Sequence, residues 1–144
     1  MRSSILSALY MASLTLLLIA GARAKMRSSG AAGEQVVHWH VNADGKLLSS
    51  RDGIHWNEPY SSVENPAPRF RVVETKGDDV WAAGSHGTVI HSRDQGLSWE
   101  KRNIPADEGD IVRILIAVDG SILVKTSKNH IWISRDDGMN WLRR

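Results

Sequence analysis

From residue 36 onward the chain alternates short β-rich runs with clusters of turn-forming residues. Val37-His38-Trp39-His40-Val41 runs into Asn42-Ala43-Asp44-Gly45. Forty-two residues later Asp79-Val80-Trp81-Ala82-Ala83 runs into Gly84-Ser85-His86-Gly87, and Thr126-Ser127-Lys128-Asn129 holds the same place a third time. Runs of this composition, bounded by Gly, Asn, Asp and Ser, predict strands joined by tight turns. Phe70-Arg71-Val72-Val73-Glu74 and Ile111-Val112-Arg113-Ile114-Leu115-Ile116-Ala117 add one strand each upstream of the second and third copies. Two segments at the start read differently. Ile5 to Ala20 is one apolar run, and Ser28 to Glu34 is rich in Gly, Ala and Ser without alternation, which predicts a flexible leader over 25–35.

The third repeated feature is a polar box that ends in tryptophan. Its copies are Ser50-Arg51-Asp52-Gly53-Ile54-His55-Trp56, Ser92-Arg93-Asp94-Gln95-Gly96-Leu97-Ser98-Trp99 and Ser134-Arg135-Asp136-Asp137-Gly138-Met139-Asn140-Trp141, with the tryptophans 43 and 42 residues apart. A period of about 40–45 residues is that of one four-stranded propeller blade. The fold is therefore read as all-β, a partial β-propeller of about three four-stranded antiparallel blades over 36–60, 68–105 and 109–144. The first blade is incomplete, with three strands. Pro59, Pro66, Pro68 and Pro105 fall between blades, where a missing backbone donor is harmless. A closed ring takes about four to eight blades, so three leave strand edges and apolar faces in need of cover.

Inside each box the chemistry has an architectural account. A short carboxylate at a turn start accepts bonds from the amides that follow it, a role for Asp52, Asp94 and Asp136. Ser50, Ser92 and Ser134 bond locally to backbone. Gly96 and Gly138 take the left-handed conformation that the hairpin exit demands, and Asp52-Gly53 makes a shorter turn because the first copy lacks one residue. Trp56, Trp99 and Trp141 cover the hairpin and fill space between neighbouring blades. Arg51, Arg93 and Arg135 recur one residue before each aspartate, so in a fan of blades they form a row on one rim, a possible surface for an acidic partner.

Composition narrows the function classes. Arg2, the apolar run and Ala22-Arg23-Ala24 make residues 1–24 a secretory signal peptide, cleaved after Ala24, and the run is short of the about 20 apolar residues of a spanning helix. A secreted or periplasmic location follows, with no membrane span after cleavage. The chain has no cysteine, hence no lipid-modified cysteine and no disulfide. Its net charge of +2 comes from Arg2 and Arg23, and the near-neutral remainder argues against nucleic-acid binding. His38 and His40 share one face of a predicted strand and could join His86 or His91 as metal ligands, but two ligands are not a site. Asp44, Asp52, Asp136 and Asp137 lack calcium-loop spacing. No metal and no cofactor is implied.

The boxes resemble Asp-box, or BNR, repeats, whose pattern S-x-D-x-G-x-x-W is matched in full by the second and third copies. The stretch Val80-Trp81-Ala82-Ala83-Gly84-Ser85-His86-Gly87-Thr88-Val89-Ile90-His91-Ser92-Arg93-Asp94 and the run Gly109-Asp110-Ile111-Val112-Arg113-Ile114 resemble blades of photosystem II stability and assembly factor-like proteins. The resemblance covers roughly 36–142. It implies a propeller of about seven blades in the full-length members, and in the photosynthetic ones a scaffold that binds newly made reaction-centre protein. Sialidases share the box, and by resemblance they would require three arginines, a tyrosine nucleophile with a glutamate, and an acid. Beyond the signal the chain has only Tyr60, in a proline-bounded linker, so no catalytic residue is assigned. The function expected is an exported, non-catalytic binding or assembly module that completes its surface with a protein partner or by self-association through open blade edges. The alternatives are a glycosidase-like hydrolase subunit and a truncated propeller fragment.

Overall fold

The structure, a computed structural model, describes residues 36–144; the expected signal peptide and leader lie outside the described residues. Ten strands form three antiparallel sheets. β1 (His38–Val41) and β2 (Leu47–Ser50) make the first. The second is β3 (Phe70–Lys76), β4 (Asp79–Gly84), β5 (Val89–Ser92) and β6 (Glu100–Lys101), hydrogen-bonded in chain order. The third, in chain order as well, is β7 (Ile111–Ile116), β8 (Ile122–Thr126), β9 (Ile131–Ser134) and β10 (Leu142–Arg143). Single 3₁₀ turns occupy Ser85–Gly87 and Ala106–Glu108. Among the described residues no helix is long and apolar enough to cross a membrane.

The first blade has two strands rather than three. What was expected as its third strand is a single bridge, in which Asn57 and Ser49 exchange backbone bonds of 2.9 Å. The cause is local. In the second and third blades the residue three past the box tryptophan donates its amide back across the sheet, Arg102 to the Val89 carbonyl and Arg144 to the Ile131 carbonyl, both at 2.8 Å. Pro59 holds that position in the first blade and has no amide to give.

Alternation along the strands divides the core into two seams. Between the first and second blades lie Leu47, Phe70, Ala82 and Ile90, flanked by Trp39, Val41 and Trp99. Between the second and third lie Trp81, Val89, Ile104, Ile114, Ile122 and Val124. The second blade is thus covered on both faces, and β4 is buried from Val80 to Gly84. Its inner strand β3 runs beside β7 of the third blade. Each Ile or Leu buried this way contributes about 1.5–3 kcal/mol. With no cysteine in the chain, packing in these seams holds the blades together.

Candidate functional site

The three boxes build the same lock. Ser92 Oγ donates to Asp94 Oδ1 at 2.8 Å and accepts the Gly96 amide at 2.7 Å. Asp94 in turn accepts the Ser98 amide at 2.8 Å and the Ser98 hydroxyl at 2.6 Å. In the third blade Ser134 Oγ donates to Asp136 Oδ1 and accepts the Gly138 amide, both at 2.8 Å. Asn140 gives Asp136 its amide at 2.9 Å and its side-chain nitrogen at 2.6 Å. In the first, Ser50 Oγ accepts the Gly53 amide at 2.9 Å, and Asp52 takes the amides of Ile54 and His55 at 2.9 and 2.8 Å.

Bonds donated to a carboxylate favour its charged form. The Ser98 hydroxyl, followed by its amide, holds Asp94 down at about 2. Asn140 lowers Asp136 in the same way, and His55 lowers Asp52. These carboxylates stay ionised, and donors from their own hairpins occupy them. The full-length copies need two left-handed residues, Gln95 with Gly96 and Asp137 with Gly138; the first copy, one residue shorter, needs only Gly53.

The arginines of the row meet different surroundings. Arg93 pairs with Asp137 of the next blade's box. Arg51 and Arg135 are exposed and take part in no ion pair among the described residues. The histidines do not converge. His38 and His40 lie on β1, where His40 meets the edge of Trp56 at 6.1 Å. His91 is sealed between the second and third blades, stacked on Trp81 at 3.8 Å with Nε2 2.8 Å from Asp79. His86 sits in a 3₁₀ turn. Among the described residues no three His, Asp or Glu side chains group as metal ligands. Tyr60 packs edge-on against Phe70 at 5.4 Å and Trp99 at 6.0 Å, an aromatic core contact.

A second surface was not foreseen from the sequence. The 42–45 turn, the start of β3, the Ser85–Gly87 turn and Asp110 enclose a cleft of about 590 Å³. Arg71 is spent in it, with Nε 3.0 Å from Asp110, and this pair lowers the Asp110 carboxyl. Arg69 lines the cleft without an ion pair among the described residues. The cleft draws on three blades, so no contiguous motif announces it; the alternation Arg69-Phe70-Arg71 at a strand start was the available signal.

The comparisons agree with this architecture. The model of a family described as "Photosynthesis system II assembly factor YCF48" matches residues 31–143. The photosystem II stability/assembly factor HCF136 of Oryza sativa subsp. japonica, a chloroplastic protein, is 29% identical over 84 residues, 58% of this chain and 20% of that relative. The photosystem II assembly lipoprotein Ycf48 of Prochlorococcus marinus strain MIT 9312 is 33% identical over 58 residues, 40% of this chain and 17% of its own length. Among solved structures, YCF48 bound to D1 peptide superposes with a TM-score of 0.66 at 25% identity, over 76% of this chain and 38% of that one. The chain therefore spans well under half the length of the relatives it matches.

Proposed function

From the premise that this chain belongs to the photosystem II assembly factor YCF48 family, whose model matches nearly all of residues 36–144, we propose that it is an exported, non-catalytic propeller module. It holds a peptide segment of a partner protein while that partner is assembled. The observation that carries the reading is the likeness to YCF48 bound to D1 peptide, which extends over three quarters of the chain. The boxes support the non-catalytic part, because donors of their own hairpins fill the three carboxylates. Tyr60, the one candidate nucleophile of a sialidase-like site beyond the signal, is engaged in packing. Export rests on residues 1–24. Unlike relatives named as lipoproteins, the chain has no cysteine to carry a lipid.

We place the peptide on the rim of Arg51, Arg93 and Arg135. Among the described residues Arg51 and Arg135 take part in no ion pair, and Arg93 pairs with Asp137 of the next box. The test is a calorimetric titration with a synthetic D1 peptide at low and high salt. Arg51→Ala with Arg135→Ala weakens binding by roughly fivefold or more at low salt, and the difference shrinks as salt screens it. Loss of binding on Arg69→Ala alone would move the peptide to the cleft. Absence of any binding, or cleavage of a sialoside by the purified chain, would overturn the reading.

A further inference from the structure

The outer face of the third blade carries an uninterrupted apolar row. Leu115 lies opposite Leu123, Leu123 opposite Ile133, and Ile133 opposite Leu142, so one side chain from each of the four strands points to the same face. Leu115 is 51% exposed and Leu142 68%. Soluble proteins rarely leave such a stripe bare unless it meets another protein.

The second blade shows what covers this row when a neighbour is present. Its equivalent is Glu74, Trp81, His91 and Glu100, paired in the same register. The third blade seals the middle of that row, leaving Trp81 and His91 each 1% exposed. The covered middle is Trp81 and His91, and the glutamates at the two ends stay exposed. The row that is open is aliphatic throughout.

The half that would fit against it is also present and also open. A blade inserts its box hairpin against the blade before it. Trp141 Nε1 donates to the Arg102 carbonyl at 2.7 Å, and a Cβ on Gly138 would lie 2.9 Å from the Arg102 side chain. Likewise a Cβ on Gly96 would lie 2.4 Å from the Trp39 ring, with Trp99 edge-on to that ring at 5.7 Å. In the first blade none of the described residues lies within 4 Å of the equivalent point on Gly53, and Trp56 is 42% exposed. Arg144 stands where Arg102 stands, and like it donates its amide across its own sheet.

We propose that the outer face of the third blade is the seat of the first-blade box hairpin of a second copy of this chain. The contact is head-to-tail and repeats the internal seam: Trp56 of one copy docks beside Arg144 and Leu142 of the other. Such a contact closes into a ring if its rotation allows and otherwise extends. It concerns the chain's own assembly and holds whether or not the module binds the D1 peptide.

The experiment is light scattering on a gel-filtration column with the purified chain and two variants, one per face. Leu123→Lys with Ile133→Lys charges the middle of the receiving row, the two places that a neighbour seals in the second blade, and Trp56→Ser removes the inserting side chain. The expected result is a dimer, or a ladder of larger species, for the parent and a monomer for each variant with an unchanged circular dichroism spectrum. Mixing the two variants restores a heterodimer, since one copy retains the row and the other the hairpin. A parent monomeric at high micromolar concentration overturns the proposal. So does a Trp56→Ser protein that stays dimeric while the charged-row variant does not, because that pattern belongs to symmetric packing of one row on another. Should either variant misfold, Gly53→Asp and Leu123→Glu carry the same two arms.

Discussion

In the second blade the box hairpin rests on the blade before it, with Gly96 against Trp39 and Trp99 against both Trp39 and Tyr60. In the first blade a hairpin built from the same serine, aspartate, glycine and tryptophan has no neighbouring blade among the described residues: none of them approaches Gly53 within 4 Å, and Trp56 is substantially exposed. Yet the internal bonds of the two are alike, Ser50 Oγ taking the Gly53 amide at 2.9 Å and Ser92 Oγ the Gly96 amide at 2.7 Å. The box is therefore a self-sufficient turn, and its use as an inter-blade wedge is a separate property that a neighbour confers. This explains how one motif serves proteins of unrelated activity: it supplies a rigid corner and leaves the exposed rims free to vary.

The sharpest break between the two regions comes from adding one methyl group. Both glycines are left-handed, with φ of +86° at Gly96 and +73° at Gly53, so alanine is strained at either by about 1–2 kcal/mol. Only at Gly96 does the new carbon also run into a neighbour, and overpacking adds about 1–3 kcal/mol. In urea denaturation Gly96→Ala should cost about 2–5 kcal/mol and Gly53→Ala about 1–2 kcal/mol. Equal losses would show that the wedge contributes nothing. The internal bonds should behave in the opposite way. Ser92→Ala and Ser50→Ala each leave a turn amide unpaired, at about 1–3 kcal/mol, and these two losses should match. A much smaller loss at Ser50 would mean that the first lock depends on a neighbour after all.

What could be read in advance follows the same division. Each box bond joins residues no more than four apart, so the surroundings of Ser92, Asp94 and Gly96 lie within one short stretch of sequence. The blade count came from the tryptophan period, and Pro59 was visible as a break, although its cost, the loss of a strand, emerged only beside the amides of Arg102 and Arg144. Contacts across a seam were not legible. Arg93 reads as one of a row open to pairing with nearby acids, but not as the partner of Asp137, 44 residues on. His91 reads only as a partner for His38 and His40 in a metal site, and it is buried against Trp81. Nothing in a single repeat says which neighbour its side chains meet, and the cleft beside Asp110 escaped for the same reason.

Acid should erode the shared part and spare the part that differs. A carboxyl lowered in the folded state contributes stability in full above its unfolded value and loses it as pH falls through the folded one. For Asp94 that window runs from 3.8 down to about 2, and Asp52 and Asp136 are lowered too. Urea midpoints should hold between pH 7 and pH 5 and decline below pH 4, with the Gly96→Ala and Gly53→Ala proteins falling in parallel to the parent. A gap between them that closes in acid would place a titrating group in the wedge.

The smallest effect expected is that of Arg93→Ala. Its partner Asp137 belongs to the next box, and the two side chains are 55% and 39% exposed, so water and salt screen the pair. The seam beneath them is held by Trp81, Ile114, Ile122 and Val124, which the substitution leaves in place. The melting temperature should stay within about one or two degrees of the parent at physiological salt, and lowering the salt should widen the difference only slightly. A fall as deep as that of Gly96→Ala would mean that the second seam hangs on an ion pair where the first hangs on aromatic packing. The two seams would then no longer be copies of one another, and a hairpin such as that of Trp56 could not be assumed to dock by the rules of its neighbours.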